Sequence, residues 1–176
     1  MRFIVLVGPK HSGKTSAGKA LASLLSCGFV DLDDLIAQRS GKSPRALYGE
    51  APEVFRKAET EALAALLESE MAETSSLVIA AGGGLVDNSD ALSVMRHFQI
   101  AAVFLDVPAQ VAWTRIRAEG ELPPFLRTEN PEGTHRALHE RRSAAYRQVA
   151  SLAIKADGKS PEEIAREIKD GLDAAH

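Results

Sequence analysis

Residues 8–15 restrict what this chain can fold into more than any other segment. They read Gly-Pro-Lys-His-Ser-Gly-Lys-Thr and match the pattern G-x-x-x-x-G-K-S/T of a phosphate-binding loop. An apolar run at residues 3–7 precedes the loop, and apolar residues recur every three or four positions after it. These flanking patterns predict a buried strand and an amphipathic helix, which is the context that the motif requires. The segment therefore predicts a nucleotide-binding fold.

The residue types in this loop meet the physical requirements of an anion site. Backbone N–H groups must turn inward around phosphate, which needs glycine where φ is positive or where a side chain would collide. Lys14 places a positive charge at the β- and γ-phosphates, Thr15 offers its hydroxyl to Mg²⁺, and the following helix directs its N-terminal dipole at the same phosphates. The residues expected to bind ATP are Gly8, His11, Ser12, Gly13, Lys14, Thr15 and Ser16.

Short apolar runs alternate with helical segments along the whole chain. The runs cover residues 3–7, 29–32, 77–80, 100–105 and 152–154. Because continuous apolar runs joined by helices are typical of strands buried on both faces, they predict an α/β fold with a five-stranded parallel sheet in a three-layer α/β/α sandwich. No repeat or Pro/Gly-rich linker divides the 176 residues, so we expect a single domain, 1–176.

Composition limits the partners and the compartment that suit the chain. A net charge of -3 and a pI of about 6.0 give no general attraction for nucleic acid. The one cysteine, Cys27, cannot form an internal disulfide, which fits a reducing cytosol. No apolar run approaches the ~18 residues of a membrane span. We expect a cytoplasmic monomer that binds a small molecule, with neither nucleic acid nor membrane as a partner.

Two aspartates, Asp31 and Asp33, stand at the end of the second apolar run. Open α/β sheets bind ligands at this edge, and on an extended segment the two side chains would share one face. One carboxylate could orient Mg²⁺ through its waters while the other accepts a proton from an attacking hydroxyl. The alternative is that Asp33 or Asp34 only caps the helix through Ile36.

Further residues fit a pocket for a small polyhydroxy acid. Pro52 opens a long helix that carries Arg56 and, one turn later, Glu59, which we expect to hold the guanidinium in place. Three glycines after the third run would let the main chain approach a ligand and donate N–H groups. The alternative is a flexible turn before a helix capped near residues 87–89. The three are Gly82, Gly83 and Gly84.

These motifs, in their order and spacing, resemble the shikimate kinase family over nearly the whole chain. The set comprises the phosphate loop, Asp31-x-Asp33, Phe55-Arg56-x-x-Glu59, Gly82-Gly83-Gly84, and Arg142 ahead of Ala145-Tyr146-Arg147. The resemblance implies the P-loop NTPase fold of the nucleoside monophosphate kinase type. It also implies transfer of the γ-phosphate of ATP to the 3-hydroxyl of shikimate, with Mg²⁺, in aromatic amino acid biosynthesis.

The same resemblance assigns catalytic and metal-binding roles. Asp33 would bind substrate hydroxyls and act as the general base, with Lys14 as the second catalytic residue. Thr15 would bind the metal directly, and Asp31 would act through magnesium.

The resemblance also assigns binding roles to residues later in the chain. Arg56 and Arg142 would hold the substrate carboxylate, beside the glycine triplet. Arg115 would contact the nucleotide, and Lys159 falls where the family contacts the adenine.

Residues 119–131 depart from the family's pattern. One glycine and three prolines are expected to exclude regular structure here, and a long irregular stretch is typical of a mobile lid. The family's lid carries an arginine that reaches over the phosphates, whereas the aligned residue in this chain is Pro123. Arg115, Arg117 and Arg127 are the candidates to replace it.

This departure leaves three functions open. The leading hypothesis is a shikimate kinase, and the second is a kinase for another hydroxy acid such as gluconate. The third is an ATP-binding module with weak or no catalysis. A nucleoside monophosphate kinase is disfavoured, because it needs lid arginines for a second phosphate group.

Overall fold

The computed structural model describes residues 3–73, 76–120 and 122–174, which include a five-stranded parallel sheet. The strands are β1 (Phe3–Val7), β2 (Gly28–Asp31), β3 (Leu77–Ala80), β4 (Ala101–Asp106) and β5 (Leu152–Lys155). Their order in the sheet is β2-β3-β1-β4-β5, and every neighbouring pair is parallel. The predicted sheet is confirmed.

Helices connect the strands. They are α1 (Lys14–Leu25), α2 (Leu32–Ser40), α3 (Pro44–Glu50), α4 (Pro52–Glu73), α5 (Ser89–His97), α6 (Ala109–Ala118), α7 (Pro131–Val149) and α8 (Pro161–Ala174). Short 3₁₀ turns cover Leu85–Asp87 and Pro124–Leu126. Within the described ranges, no helix combines the length and the apolar character needed to cross a membrane.

The two faces of the sheet carry separate hydrophobic cores. On β1, Phe3, Val5 and Val7 enter one core, whereas Ile4 and Leu6 enter the other. Helices α2 to α5 and α7 cover the first face, and α1 and α8 cover the second. This alternation confirms the three-layer sandwich, because the inner strands β1, β3 and β4 are buried on both sides, whereas the edge strands β2 and β5 are partly exposed.

The boundary between β2 and α2 corrects the sequence prediction. Residue Leu32 was assigned to the strand, but it begins α2 and is fully buried. Asp31 ends the strand and caps the helix, since its carboxylate accepts a hydrogen bond from the backbone N–H of Asp33 at 3.1 Å. A buried residue looks alike in a strand and in the first turn of a helix, so apolarity alone could not place this boundary.

Smaller corrections apply to β4 and β5. The fourth strand lies one residue later than the predicted run 100–105, and the fifth extends to Lys155. At the start of α8, Ser160 and Glu163 form a capping box: Ser160 Oγ accepts from the Glu163 N–H at 3.2 Å, and Glu163 Oε2 accepts from the Ser160 N–H at 2.7 Å.

Helix α1 lies unusually close to the sheet at Gly18. A Cβ added to this glycine would lie 2.6 Å from Cε2 of Phe29 on β2, well inside normal contact. The missing side chain therefore sets the spacing between α1 and the strand beneath it.

Among its described residues, the segment 119–131 contains one 3₁₀ turn, and its last residue, Pro131, begins α7. Leu126 closes the 3₁₀ turn by donating its N–H to the carbonyl of Pro123 at 2.9 Å. Its side chain is fully buried against Trp113 and Ile116 of α6. The expectation that prolines exclude regular structure here is wrong at this turn, because prolines in a turn's first positions need no hydrogen-bond donor.

Candidate active site

The phosphate loop follows β1 with the backbone that its glycines were predicted to allow. Gly8 has φ of 146°, and a Cβ on it would lie 2.8 Å from the carbonyl oxygen of Leu105. Gly13 and His11 also have positive φ, at 91° and 63°. The conformation at His11 is uncommon for a residue with a side chain.

Lys14 folds back over this loop. Its ammonium group donates to the carbonyls of Gly8 at 3.0 Å and Pro9 at 2.8 Å, and 8% of the residue is exposed. Burial lowers the pKa of Lys14 to about 8, although Asp33 and Asp31 oppose the shift. The ammonium group of Lys14 is thus fixed in position to bind an anion and is largely shielded from water.

Thr15 and Asp31 are brought together across the cleft. The Thr15 hydroxyl donates to Asp31 Oδ2 at 2.8 Å, while Asp31 Oδ1 caps α2. A hydroxyl and a carboxylate are hard oxygen ligands of the kind that Mg²⁺ prefers, so the pair fits the predicted metal site.

Asp33 stands in the first turn of α2 and not on an extended segment with Asp31. The expectation of a shared strand face is therefore wrong, as is the alternative that Asp33 or Asp34 caps this helix. Burial and the charge of Asp31 raise the pKa of Asp33, and Lys14 opposes the rise. Its Oδ1 is enclosed and receives no hydrogen bond from the described residues. The Asp33 carboxylate thus keeps an oxygen whose capacity to accept a hydrogen bond is unused by the described residues.

The glycine triplet closes the cleft from the side of β3. A Cβ on Gly82 would lie 3.1 Å from Asp33 Oδ1, and one on Gly83 would lie 2.7 Å from the backbone nitrogen of Lys10. The main chain here approaches both the carboxylate and the phosphate loop, as a binding wall requires.

Glu59 of α4 is 1% exposed and lies against Gly82 from the other side: a Cβ on this glycine would lie 3.4 Å from Glu59 Oε1. Burial raises its pKa to about 7; the Asn88 hydrogen bond opposes this shift, and Asp33 adds to it. Glu59 Oε2 accepts from Asn88 Nδ2 at 2.9 Å. No hydrogen bond or ion pair joins Glu59 to the guanidinium of Arg56, both of which the structure describes. The predicted support of Arg56 by Glu59 is therefore wrong.

Asn88, just before α5, contacts both Glu59 and the backbone of Arg56, and the sequence did not predict these contacts. Its Nδ2 also donates to the backbone carbonyl of Arg56 at 2.9 Å, and its Oδ1 accepts from the Ala91 N–H at the start of α5. The capping position was predicted near residues 87–89, but a link to α4 depends on tertiary packing. Asn88 thereby ties the Arg56 backbone and Glu59 to α5.

Arg142 of α7 is held by Asp87. Its Nε and Nη2 donate to Asp87 Oδ2 at 2.9 and 2.8 Å, and Arg141 holds the same carboxylate at 2.7 and 3.0 Å. Burial tends to raise the pKa of Asp87, but the two arginines outweigh it and lower the pKa. A Cβ on Gly84 would lie 3.2 Å from Arg142 Nη2. Arg142 therefore stands next to the glycine triplet, and sequence reasoning missed Asp87.

The loop, the aspartates and the glycines enclose one cleft of about 280 Å³. Of the residues expected to bind nucleotide, five line it: His11, Gly13, Lys14, Thr15 and Ser16. Gly8 and the buried Ser12 lie behind its wall. Asp31, Asp33, Gly82 and Gly83 line the side opposite.

The candidate cations at the lid occupy different places. Arg115 donates Nη1 to the carbonyl of His11 at 2.7 Å, so it lies beside the phosphate loop. Arg117 lines a separate cavity of about 480 Å³, and Arg127 donates to the carbonyl of Leu122 at 3.4 Å. Lys159 pairs with Glu167 at 2.6 Å, outside the residues that line the cleft.

Lys10 lines the cleft as well, although it fills a motif position that accepts any residue. Its Nζ lies 3.3 Å from Glu119 Oε2, next to the end of α6. The positive charge of Lys10 inside a phosphate loop was a signal in the sequence that the motif pattern does not weigh.

A parallel sheet with a phosphate loop after β1, a hydroxyl–carboxylate pair beside it and a second carboxylate across the cleft defines a P-loop kinase. The comparisons with known proteins narrow this class. The family model for shikimate kinase matches residues 10–173. A shikimate kinase of Marinomonas sp. (strain MWYL1) is 32% identical over 170 residues, which cover 96% of this chain and 91% of that protein.

Solved structures agree. Shikimate kinase from Acinetobacter baumannii in complex with shikimate has a TM-score of 0.86 at 29% identity, covering 99% of this chain and 94% of that one. The Aquifex aeolicus shikimate kinase has a TM-score of 0.80 at 33% identity, covering 98% and 97%. The chain therefore belongs to the shikimate kinase family, phosphotransferases that use ATP and act on a hydroxyl group.

Proposed function

We propose that this protein transfers the γ-phosphate of ATP to the 3-hydroxyl of shikimate. The carrying observation is that Asp33 faces the phosphate loop across the cleft with an enclosed oxygen that receives no hydrogen bond from the described residues. The Asp33 carboxylate can accept the proton of an attacking hydroxyl in this cleft. The likeness to a relative solved with shikimate supports this acceptor.

In this reaction the acceptor oxygen forms a bond to the γ-phosphorus, and the bond from phosphorus to the β–γ bridging oxygen breaks, releasing ADP. Asp33 takes the hydroxyl proton, and its raised pKa suits a base that must later release it. Lys14 stabilises the charge on the β- and γ-phosphates.

Thr15 and Asp31 would hold Mg²⁺, Thr15 through its hydroxyl and Asp31 through the ion's waters. The metal supplies positive charge at the phosphate oxygens when it is bound. The 2.8 Å contact between the two side chains supports this assignment.

The acceptor carboxylate would lie against Arg142 and Arg56, with its ring hydroxyls between Asp33 and the triplet Gly82–Gly84. Arg142 supports this arrangement by its position next to Gly84, where Nη1 makes no hydrogen bond or ion pair with the described residues. Arg115 and Lys159 would contact the nucleotide on the far side of the loop, with residues 119–131 as the lid.

The remaining expectations concern the whole molecule. We infer from composition a cytoplasmic, monomeric protein with one domain. The single cysteine, Cys27, supports the compartment, and the length of 176 residues without a linker supports one domain.

A coupled ADP-release assay with ATP, Mg²⁺ and shikimate tests the proposal. We expect shikimate-dependent turnover that gluconate and other hydroxy acids do not reproduce. Calorimetric titration with ATP provides the control for a competent loop. Intact ATP binding without shikimate-dependent turnover would overturn the assignment, and turnover with another acid would reassign the acceptor.

A further inference from the structure

Lys10 occupies the third position of the phosphate loop, on the wall of the cleft that faces Asp33. Its backbone is packed against Gly83, where a Cβ would lie 2.7 Å from the Lys10 nitrogen. Lys10 and Lys14 are the two lysine or arginine residues that line the cleft, among the residues the structure describes. The site thus contains a second ammonium group that the nucleotide motif does not require.

The charge of Lys10 reaches the acceptor side of the cleft. Burial and Asp31 raise the pKa of Asp33, and both Lys14 and Lys10 oppose that rise. The two ammonium groups therefore lie within electrostatic range of one carboxylate, between the loop and the expected position of the acceptor hydroxyl.

The present partner of Lys10 holds it weakly. Its Nζ lies 3.3 Å from Glu119 Oε2, and the two side chains are 50% and 51% exposed. Exposed ion pairs of this kind contribute little, because water screens both charges. A nucleoside triphosphate carries more negative charge than one carboxylate. Because of this charge, a triphosphate bound in the cleft would attract the Lys10 ammonium group away from Glu119.

The lid leaves this role open. The aligned lid residue, Pro123, has no charge, and Arg127 is bonded to the carbonyl of Leu122. Arg117 lines another cavity, and Arg115 lies at the outer side of the loop on the carbonyl of His11. None of these three arginines lines the cleft in the described part of the chain.

We propose that Lys10 is a second catalytic cation, which contacts the γ-phosphoryl oxygens during transfer and supplies the charge that Pro123 lacks. The role rests on the proposed phosphotransfer. Lys10 stays protonated throughout: the hydroxyl proton goes to Asp33, and the electrons of the broken phosphorus–oxygen bond go to ADP. Lys10 donates hydrogen bonds to the oxygens on which charge develops.

Replacement of Lys10 tests the role. Lys10→Met should lower kcat about 10²-fold, less than the ~10³–10⁵ attributed to an arginine finger, because an ammonium group is a point charge. Lys10→Arg should restore most of that loss. Lys42→Met is the matched control, since Lys42 and Glu50 form an ion pair of similar exposure that does not line the cleft.

Nucleotide binding gives a readout that needs no acceptor. Because ADP lacks the γ-phosphate, Lys10→Met should weaken ATP about tenfold and leave ADP unchanged. A wild-type protein without shikimate-dependent turnover would refute the proposed function, and the ATP-to-ADP affinity ratio would still test the Lys10 contact.

Three results would overturn the role of Lys10. They are an unchanged affinity ratio, a kcat of Lys10→Met within threefold of the active wild type, and an equal loss in Glu119→Gln. The last would mean that the ion pair, and not a phosphate contact, is what matters. We expect Glu119→Gln to lower kcat less than Lys10→Met does, although Glu119 Oε2 also lies 3.3 Å from His11 Nε2.

Discussion

The two walls of the cleft are built in different ways. The phosphate wall takes its groups from one continuous segment, residues 8–16, whereas the acceptor wall combines the end of β2, the start of α2 and the loop after β3. Glu59 of α4 and Arg142 of α7 pack against the glycines of that loop. The first wall relies on backbone geometry and one buried lysine. The second relies on side chains that hold one another. A local wall can be recognised in a sequence, and an assembled wall can only be inferred from likeness or seen in a structure.

Each wall has a lysine or glutamate whose pKa is strongly shifted by burial, and the two shifts have opposite signs. Burial lowers the pKa of Lys14 to about 8 and raises that of Glu59 to about 7. Lys14 compensates for burial with two backbone carbonyls, whereas Glu59 Oε1 receives no hydrogen bond from the described residues. We therefore expect a substitution in the phosphate wall to abolish ATP binding, and substitutions in the acceptor wall to reduce activity in part.

The largest effect is expected at Lys14. Lys14→Ala removes the buried charge at the phosphates and should lower kcat/KM on the order of 10³-fold, with loss of ATP binding by calorimetry. Lys19→Ala, an exposed lysine on the same helix, is the control and should remain active. Normal turnover of Lys14→Ala would show that the loop does not bind the nucleotide as described.

Asp33→Asn separates the two walls. The amide cannot take a proton, so acceptor-dependent turnover should fall on the order of 10²-fold, while ATP affinity stays within about twofold. Steady-state kinetics and calorimetry on the same preparation measure both. If the variant weakened ATP alone, the roles of Asp31 and Asp33 would have to be exchanged.

Asp87→Asn should have a graded effect. Arg142 would lose the carboxylate that fixes its Nε and Nη2, so KM for shikimate should rise ~10-fold, in line with a hydrogen bond to a charged group. KM for ATP and kcat should change less than about twofold. Asp106→Asn, which removes the partner of Arg147 on the same helix, is the matched control. A KM for shikimate that stays the same or falls would mean that Asp87 does not position Arg142.

The smallest effect is expected on stability and depends on pH. The pKa of Glu59 rises from 4.5 to about 7 on folding, so the folded state binds a proton more tightly than the unfolded state. The wild type should therefore lose stability as pH rises from about 4.5 through 7. In Glu59→Gln that loss should disappear, with a gain over the wild type on the order of 1–3 kcal/mol at pH 8.

Urea denaturation at pH 5 and pH 8 measures this difference. Glu61→Gln, an exposed residue on the same helix, serves as the control. Equal pH dependence of the wild type and Glu59→Gln would show that Glu59 is already ionised at little cost.

The sequence predicted the sheet, the phosphate loop and most cleft residues, because those features depend on local pattern. It could not place Leu32, since a buried apolar residue fits a strand and a helix equally well. It assigned Glu59 to Arg56 because helical spacing makes residues three apart neighbours. In the fold, Asn88 reaches Glu59 from another element, and Asp87 reaches Arg142 across 55 positions of the chain. Partners this distant leave no periodic signal.

The contact of Gly18 with Phe29 has a consequence for the aim of the phosphate loop. Gly18 lies four residues after Lys14, a distance of ~6 Å along the helix axis. A methyl group there would have to displace the Phe29 ring or push α1 away from β2. Because Lys14 and Thr15 are the first two residues of α1, a shift of the helix would move both side chains together. The positions of the Lys14 and Thr15 side chains therefore depend on a residue, Gly18, that does not line the cleft.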